Sequence, residues 1–130
     1  MGTRTDYRCT TCEARFTAGE GGGFFFDLLH CMDCGAAKSI SHEDMGDIHL
    51  AFIKGLPVPY AMVRARMDAR IKATFPGEPL DGEAYHEAVS KFAGPCKCGG
   101  TFTYEAPARC PGCRSTQESW EPTGGWVHYD

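Results

Sequence analysis

Long apolar runs are missing from this chain. The longest apolar cluster, Phe24-Phe25-Phe26 followed by Leu28-Leu29, is interrupted by Asp27 and is far too short to span a bilayer. The first eight residues, 1–8, carry no apolar stretch of the secretory kind, so a cytoplasmic, reducing setting and no membrane partner are expected. Basic runs are missing too. Thirteen Lys and Arg stand against seventeen Asp and Glu, for a formal net charge of −4. Nucleic-acid binding draws much of its affinity from neutralised phosphates, and the global field here opposes it. Catalytic signatures fail in the same way. The chain holds no P-loop, no G-x-S-x-G and no G-x-G-x-x-G. His86-Glu87 opens an H-E-x-x-H pattern that Ser90 breaks, and Pro95-Cys96-Lys97-Cys98 misses the spacing of a zinc deaminase. A non-enzymatic protein is expected.

Cysteine, by contrast, is plentiful and ordered. The eight residues form four close pairs, Cys9/Cys12, Cys31/Cys34, Cys96/Cys98 and Cys110/Cys113. A pair two or three residues apart turns both sulfurs toward one point from a single tight turn, and two such turns complete an all-sulfur tetrahedral site. Close C-x-x-C pairs are poor partners for long-range disulfides and good partners for a metal. Read along the chain, C-x2-C-x18-C-x2-C gives a first site of Cys9, Cys12, Cys31 and Cys34. The block C-x-C-x11-C-x2-C gives a second of Cys96, Cys98, Cys110 and Cys113. This sequential pairing is preferred over a cross-braced one because 61 residues separate Cys34 from Cys96, and closing the shorter loops costs less entropy. Four thiolates leave no open coordination position, so both sites read as structural. Two Zn2+ are the expected cofactors. Iron is the rival, since soft thiolates suit both metals. Two zinc tetrathiolates of charge −2 each would take the chain to about −8. His30, beside Cys31, reads as packed on the module or solvated.

Three segments follow: a first cysteine module at 1–40, a helical segment at 41–94 and a second module at 95–130 with an aromatic tail. Phe16 and Phe102 each lie four residues beyond a cysteine, as if the modules were a degenerate repeat. In the centre, Ser41 with Asp44 resembles a capping box ahead of the stripe Met45, Ile48, Phe52 and Leu56. A second helix beginning near Pro59 would bury Tyr60, Val63, Met67, Ile71 and Phe75. A third after Asp81 would bury Tyr85, Ala88, Val89 and Phe92. On the second helix, Arg64, Asp68 and Lys72 read as a solvated ion-pair ladder at i, i+4 spacing, with Arg66 and Arg70 beside the apolar stripe.

The paired cysteines, the glycine after Cys34 and Cys98, and the Cys110-Pro111-Gly112-Cys113 knuckle resemble the zinc ribbons of the rubredoxin-like class over about half of the chain. That resemblance implies two knuckles and three short strands per site; the C-x-C opening at Cys96 departs from its pattern. The fold expected is a small metal-stabilised α+β protein in which two zinc ribbons of short antiparallel strands flank two or three helices. The function expected is a protein–protein interaction or adaptor module, its surface drawn from Arg64, Arg66, Arg70, Trp120, Trp126 and Tyr129, with another protein as partner. A nucleic-acid or transcription-associated zinc ribbon is the alternative, and a rubredoxin-like iron electron carrier a further one.

Overall fold

Two β-hairpins, each with a cysteine pair at its tip, organise the chain in the computed structural model, which describes residues 2–59 and 62–129. The first joins β1 (Gly2–Cys9) to β2 (Arg15–Glu20), with Tyr7 opposite Phe16. The second joins β3 (Phe26–Cys31) to β4 (Ala37–Ser41), with His30 opposite Ala37. Each hairpin then receives a third strand from the far end of the chain. β5 (Phe102–Thr103) runs antiparallel to β3, and β6 (Trp120–Tyr129) antiparallel to β1. The sheets are ordered β2-β1-β6 and β4-β3-β5, so in both the first hairpin strand is central.

This topology differs from the expected 1–40, 41–94 and 95–130 division. Each sheet draws strands from both ends, and the β3-β4-β5 module lies inside the loop closed by the β1-β2-β6 module. The repeat is present at the level of hairpins, with β1-β2 corresponding to β3-β4. It is not the Phe16/Phe102 correspondence, since Phe16 lies on a second hairpin strand and Phe102 on a third, added strand.

Between the modules lie α1 (His42–Met45), α2 (Asp47–Gly55), α3 (Ala65–Thr74) and α4 (Gly82–Ala93). Ser41 caps α1, its Oγ accepting the Asp44 N–H at 3.0 Å. The helix read as continuous from there breaks at Gly46, whose φ of 56° lies in the left-handed region. Asp81 caps α4 by accepting the Ala84 N–H at 2.8 Å. Tyr85, Val89 and Ala93 of α4 pack with Leu29, Ile40, Met45 and Phe102 into the main core. No helix among the described residues is long and apolar enough to cross a membrane.

A buried carboxylate crosses the core. Asp27 on β3 takes hydrogen bonds from Tyr85 at 2.7 Å and from Tyr104, and pairs with His42 Nε2 at 2.9 Å. Burial would raise the Asp27 pKa, but the bonds from His42, Tyr104 and Tyr85 outweigh it and hold the group below its usual range. His42 stacks on His49 with ring centroids 3.8 Å apart. Burial, then the neighbouring His42 charge, lowers His49 to about 4. In the window from about 6.5 down to about 4, the unfolded chain therefore binds a proton at His49 that the folded chain refuses. Stability contributed by a neutral His49 is present above that window and lost as pH falls through it. His49→Gln removes this term: the Tm gap between wild type and variant is expected to narrow as pH drops from 6.5 to 4. Parallel Tm curves over that range, with equal metal content in the two proteins, would overturn the assignment.

Candidate metal centres and an outward apolar helix face

All four cysteine knuckles close in the same way. The first cysteine's N–H donates to the carbonyl five residues on: Cys9 to Ala14, Cys31 to Ala36 and Cys110 to Ser115, at 2.8–2.9 Å. In return its carbonyl accepts the N–H of the residue just past the second cysteine, Glu13, Gly35 or Arg114. The C-x-C knuckle keeps the pattern with one residue removed, Cys96 donating to Gly100 and accepting from Gly99. In every knuckle the residue after the second cysteine has positive φ: Glu13 at 64°, Gly35 at 76°, Gly99 at 91° and Arg114 at 63°. Only two of the four are glycine, so the sequence marks the turn in one module and hides it in the other.

The knuckles combine as first with fourth and second with third. Cys9, Cys12, Cys110 and Cys113 form one group and Cys31, Cys34, Cys96 and Cys98 the other, all four sulfurs of each lying within 4.8 Å of one another. Both sites anticipated from spacing, Cys9/Cys12/Cys31/Cys34 and Cys96/Cys98/Cys110/Cys113, are thus replaced by a nested arrangement. Loop entropy was too weak a criterion. The nested outer site spans 97 residues from Cys12 to Cys110, against 18 from Cys12 to Cys31, and that lengthening costs only about 1.5 kcal/mol. Either grouping closes two four-sulfur sites, so a metal does not choose between them; the β1–β6 and β3–β5 pairings do.

The sulfur geometry fits a metal. Between knuckles, Sγ···Sγ contacts are 3.6 Å for Cys9–Cys113, 3.5 Å for Cys12–Cys110, 3.4 Å for Cys31–Cys98 and 3.6 Å for Cys34–Cys96. A tetrahedral thiolate site with 2.3 Å metal–sulfur bonds has edges of about 3.8 Å, whereas a disulfide requires about 2.05 Å. Ser115 lies over the outer group, its Oγ 3.3 Å from Cys9 Sγ and 3.2 Å from the Trp120 Nε1 that donates to it. The Ser115 hydroxyl brings the Cys9 thiol down to about 6, and backbone N–H groups led by that of Cys34 bring Cys31 down to about 6. In each group at least one thiol is therefore shifted toward the thiolate, the form that binds metal.

A family described as a domain of unknown function, DUF8255, matches residues 5–119, a span that includes all eight cysteines. The chain belongs to that family. No curated protein and no solved structure matches it. In this DUF8255 chain the two four-cysteine groups are compatible with metal binding and together set the frame for everything between them.

The remaining sequence candidates divide sharply. Trp120 is partly buried, edge-on to Phe16 at 4.7 Å and 5.2 Å from Tyr7. Tyr129 donates its hydroxyl to Gly21 O at 2.7 Å and so ties the end of β6 to the β2–β3 turn. Both belong to the packing of the outer module. Trp126 is exposed, as are Arg66 and Arg70.

Arg64 is not on a solvated ladder. Asp68 is 1 % exposed, Arg64 Nε lies 3.9 Å from its Oδ1, Arg64 Nη1 donates to Phe24 O at 3.2 Å, and Lys72 Nζ donates to Leu56 O. The charged row of α3 faces inward. Its apolar row faces out: Val63, just ahead of α3, is 79 % exposed and Met67 57 %. Tyr60, assigned to the same stripe, lies outside the described residues. The helix is turned because its polar row has backbone acceptors to meet in the loops at Phe24 and Leu56, a tertiary fact that periodicity does not carry. Val63, Met67 and Ile71 form one bank of a groove of about 890 Å³, with Phe24 and Phe25 on the other and Leu50 among the lining residues.

Two measurements test the metal centres. Cys9→Ser/Cys12→Ser is expected to lose one metal by native mass spectrometry and to expose Cys110 and Cys113 to alkylation. Cys31 and Cys34 should stay protected; alkylation of those two instead would restore the sequential pairing. Gly100 has no room for a side chain, since an added Cβ would stand 2.5 Å from Cys31 Sγ, whereas a Cβ on neighbouring Gly99 meets nothing within 4 Å. Gly100→Ala should therefore weaken metal retention at the inner site against a competing chelator by tenfold or more. Gly99→Ala should cost only its backbone strain, roughly 1 kcal/mol. Equal retention in the two variants would refute the close approach.

Proposed function

We propose that this protein is a non-enzymatic interaction module: two structural zinc ribbons, one nested in the other, hold a helical segment that docks another protein. Zinc is the metal assigned, and four thiolates closing each site leave no position for substrate or water, which makes both sites structural. A ribbon accounts for each module's two knuckles and three strands. The observation that carries the reading is the orientation of α3. A soluble helix turns its apolar row to the core, yet here Asp68 is buried while Val63 and Met67 are exposed, beside Phe25 at 69 % and Met62 at 85 %. These four residues form a local cluster rather than isolated exposed side chains, which is the pattern that marks interaction sites. Methionine suits such a surface because its flexible thioether adapts to a partner's shape.

The nucleic-acid reading has less support. Arg64 is engaged within the fold, which leaves Arg66 and Arg70 as the exposed basic residues of α3 on a chain of net charge −4. A photo-crosslinking amino acid at position 67, with position 15 of β2 as control, separates the readings in cells. The expected product is a defined protein adduct from position 67 only, lost when Val63→Asp is added while two zincs per chain are retained. Adducts to nucleic acid alone, or none, would overturn the proposal.

A further inference from the structure

The groove beside α3 has banks of opposite character. On the α3 bank, Val63, Met67 and Ile71 line the groove; Arg66 and Arg70, exposed on the same helix, stand outside that lining on the solvent side of the row. Helical geometry sets Arg70 about 60° and Arg66 about 100° around from Met67, on the side away from buried Asp68. On the facing bank, Glu43 of α1 lines the groove and is exposed. The exposed apolar residues lining the groove are Phe25, Val63 and Met67. Arg64 reaches across beneath, its guanidinium carbon 5.7 Å from the Phe25 ring centroid.

An acidic partner would meet Glu43 as a like charge, and a basic partner would meet Arg66 and Arg70. A surface with one basic and one acidic bank around an apolar centre is complementary to itself. A two-fold axis along the groove lays the α3 bank of one copy on the α1 bank of the other, twice over, which is the condition for an isologous contact. We propose that the partner of this face is a second copy of the same chain, with Phe25, Val63 and Met67 of both copies in the centre and Arg66 and Arg70 of each facing Glu43 of the other. The inference rests on the interaction-module reading and names its partner. The net negative charge of each chain resists the approach only weakly at physiological salt, where charges more than about 8 Å apart are largely screened.

Sedimentation equilibrium of the full-length, zinc-loaded protein from micromolar to several hundred micromolar tests it. A monomer–dimer equilibrium is expected. Met67→Asp should weaken it about 30-fold or more, as truncating a central interface residue does, with two zincs and the wild-type Tm retained. Arg66→Glu/Arg70→Glu should weaken it as well, and adding Glu43→Arg to that chain should recover part of the loss. Val63→Asp supplies a second, independent probe should Met67→Asp lose zinc. A monomer at every concentration overturns the inference, and so does a dimer indifferent to these changes, which would place the contact elsewhere. Either result leaves the interaction-module reading intact where position 67 still crosslinks to a different protein; absence of any protein adduct would remove that reading itself.

Discussion

Everything in this fold depends on pairs of sulfurs brought together across the length of the chain. The outer group joins Cys9 and Cys12 to Cys110 and Cys113, and the inner group joins Cys31 and Cys34 to Cys96 and Cys98. Hairpin β1-β2 has little core of its own. Tyr7, Phe16 and Trp120 pack against each other over one face, and Cys9 is its fully buried residue. A sheet of that size buries too little to be independently stable. Holding β6 against β1 then falls to the knuckle that precedes it. The inner module is better supplied, since Leu29, Val89 and Phe102 bury themselves between β3, α4 and β5. The inner module therefore rests more on its core, and the outer module more on its four sulfurs.

Nesting also explains how the two modules can be alike without being adjacent in sequence. Each is a hairpin with a knuckle at its tip and a third strand delivered by a later knuckle. The inner module and all four helices are inserted between the outer module's hairpin and its third strand. Gly35 shows where they meet. It combines a φ of 76° with an added-Cβ position 2.3 Å from Arg109 Cβ, so the inner knuckle touches the segment leading into the last outer one. Both the turn and that contact require glycine there.

How much of this was legible beforehand depended on whether the signal was local. The four close cysteine pairs, the Ser41 and Asp81 caps and the α4 face at Tyr85 and Val89 are all set within a few residues, and each is readable in the sequence. The grouping of the knuckles is not, because it is decided by strand pairing between β1 and β6 and between β3 and β5, over separations that leave no trace in spacing. The loop-closure argument failed by magnitude, a logarithmic entropy set against two strand pairings. The knuckle turns at Glu13 and Arg114 carry no mark in the sequence because neither is glycine. In the sequence Asp27 is only an interruption of an apolar cluster, although its carboxylate ties β3 to α4 and to Tyr104 in the middle of the core.

Helix α3 is the instructive failure. Its sequence supports two amphipathic readings, an apolar row at 63, 67 and 71 and a charged row at 64, 68 and 72. Periodicity alone assigns the first to the core. Burial of the second requires that each charge find a partner, since an unpaired buried ion costs several kcal/mol. Those partners exist: Asp68 for Arg64, Phe24 O for Arg64 and Leu56 O for Lys72. Two of the three are backbone carbonyls in loops, which no side-chain pattern announces. The apolar row is then left outside by geometry, because rows 100° apart on one helix cannot both face one layer. A protein that keeps Val63 and Met67 in water while committing Asp68 to its interior gains nothing for its own fold from the exposed pair. Their placement becomes economical only if a second surface covers them.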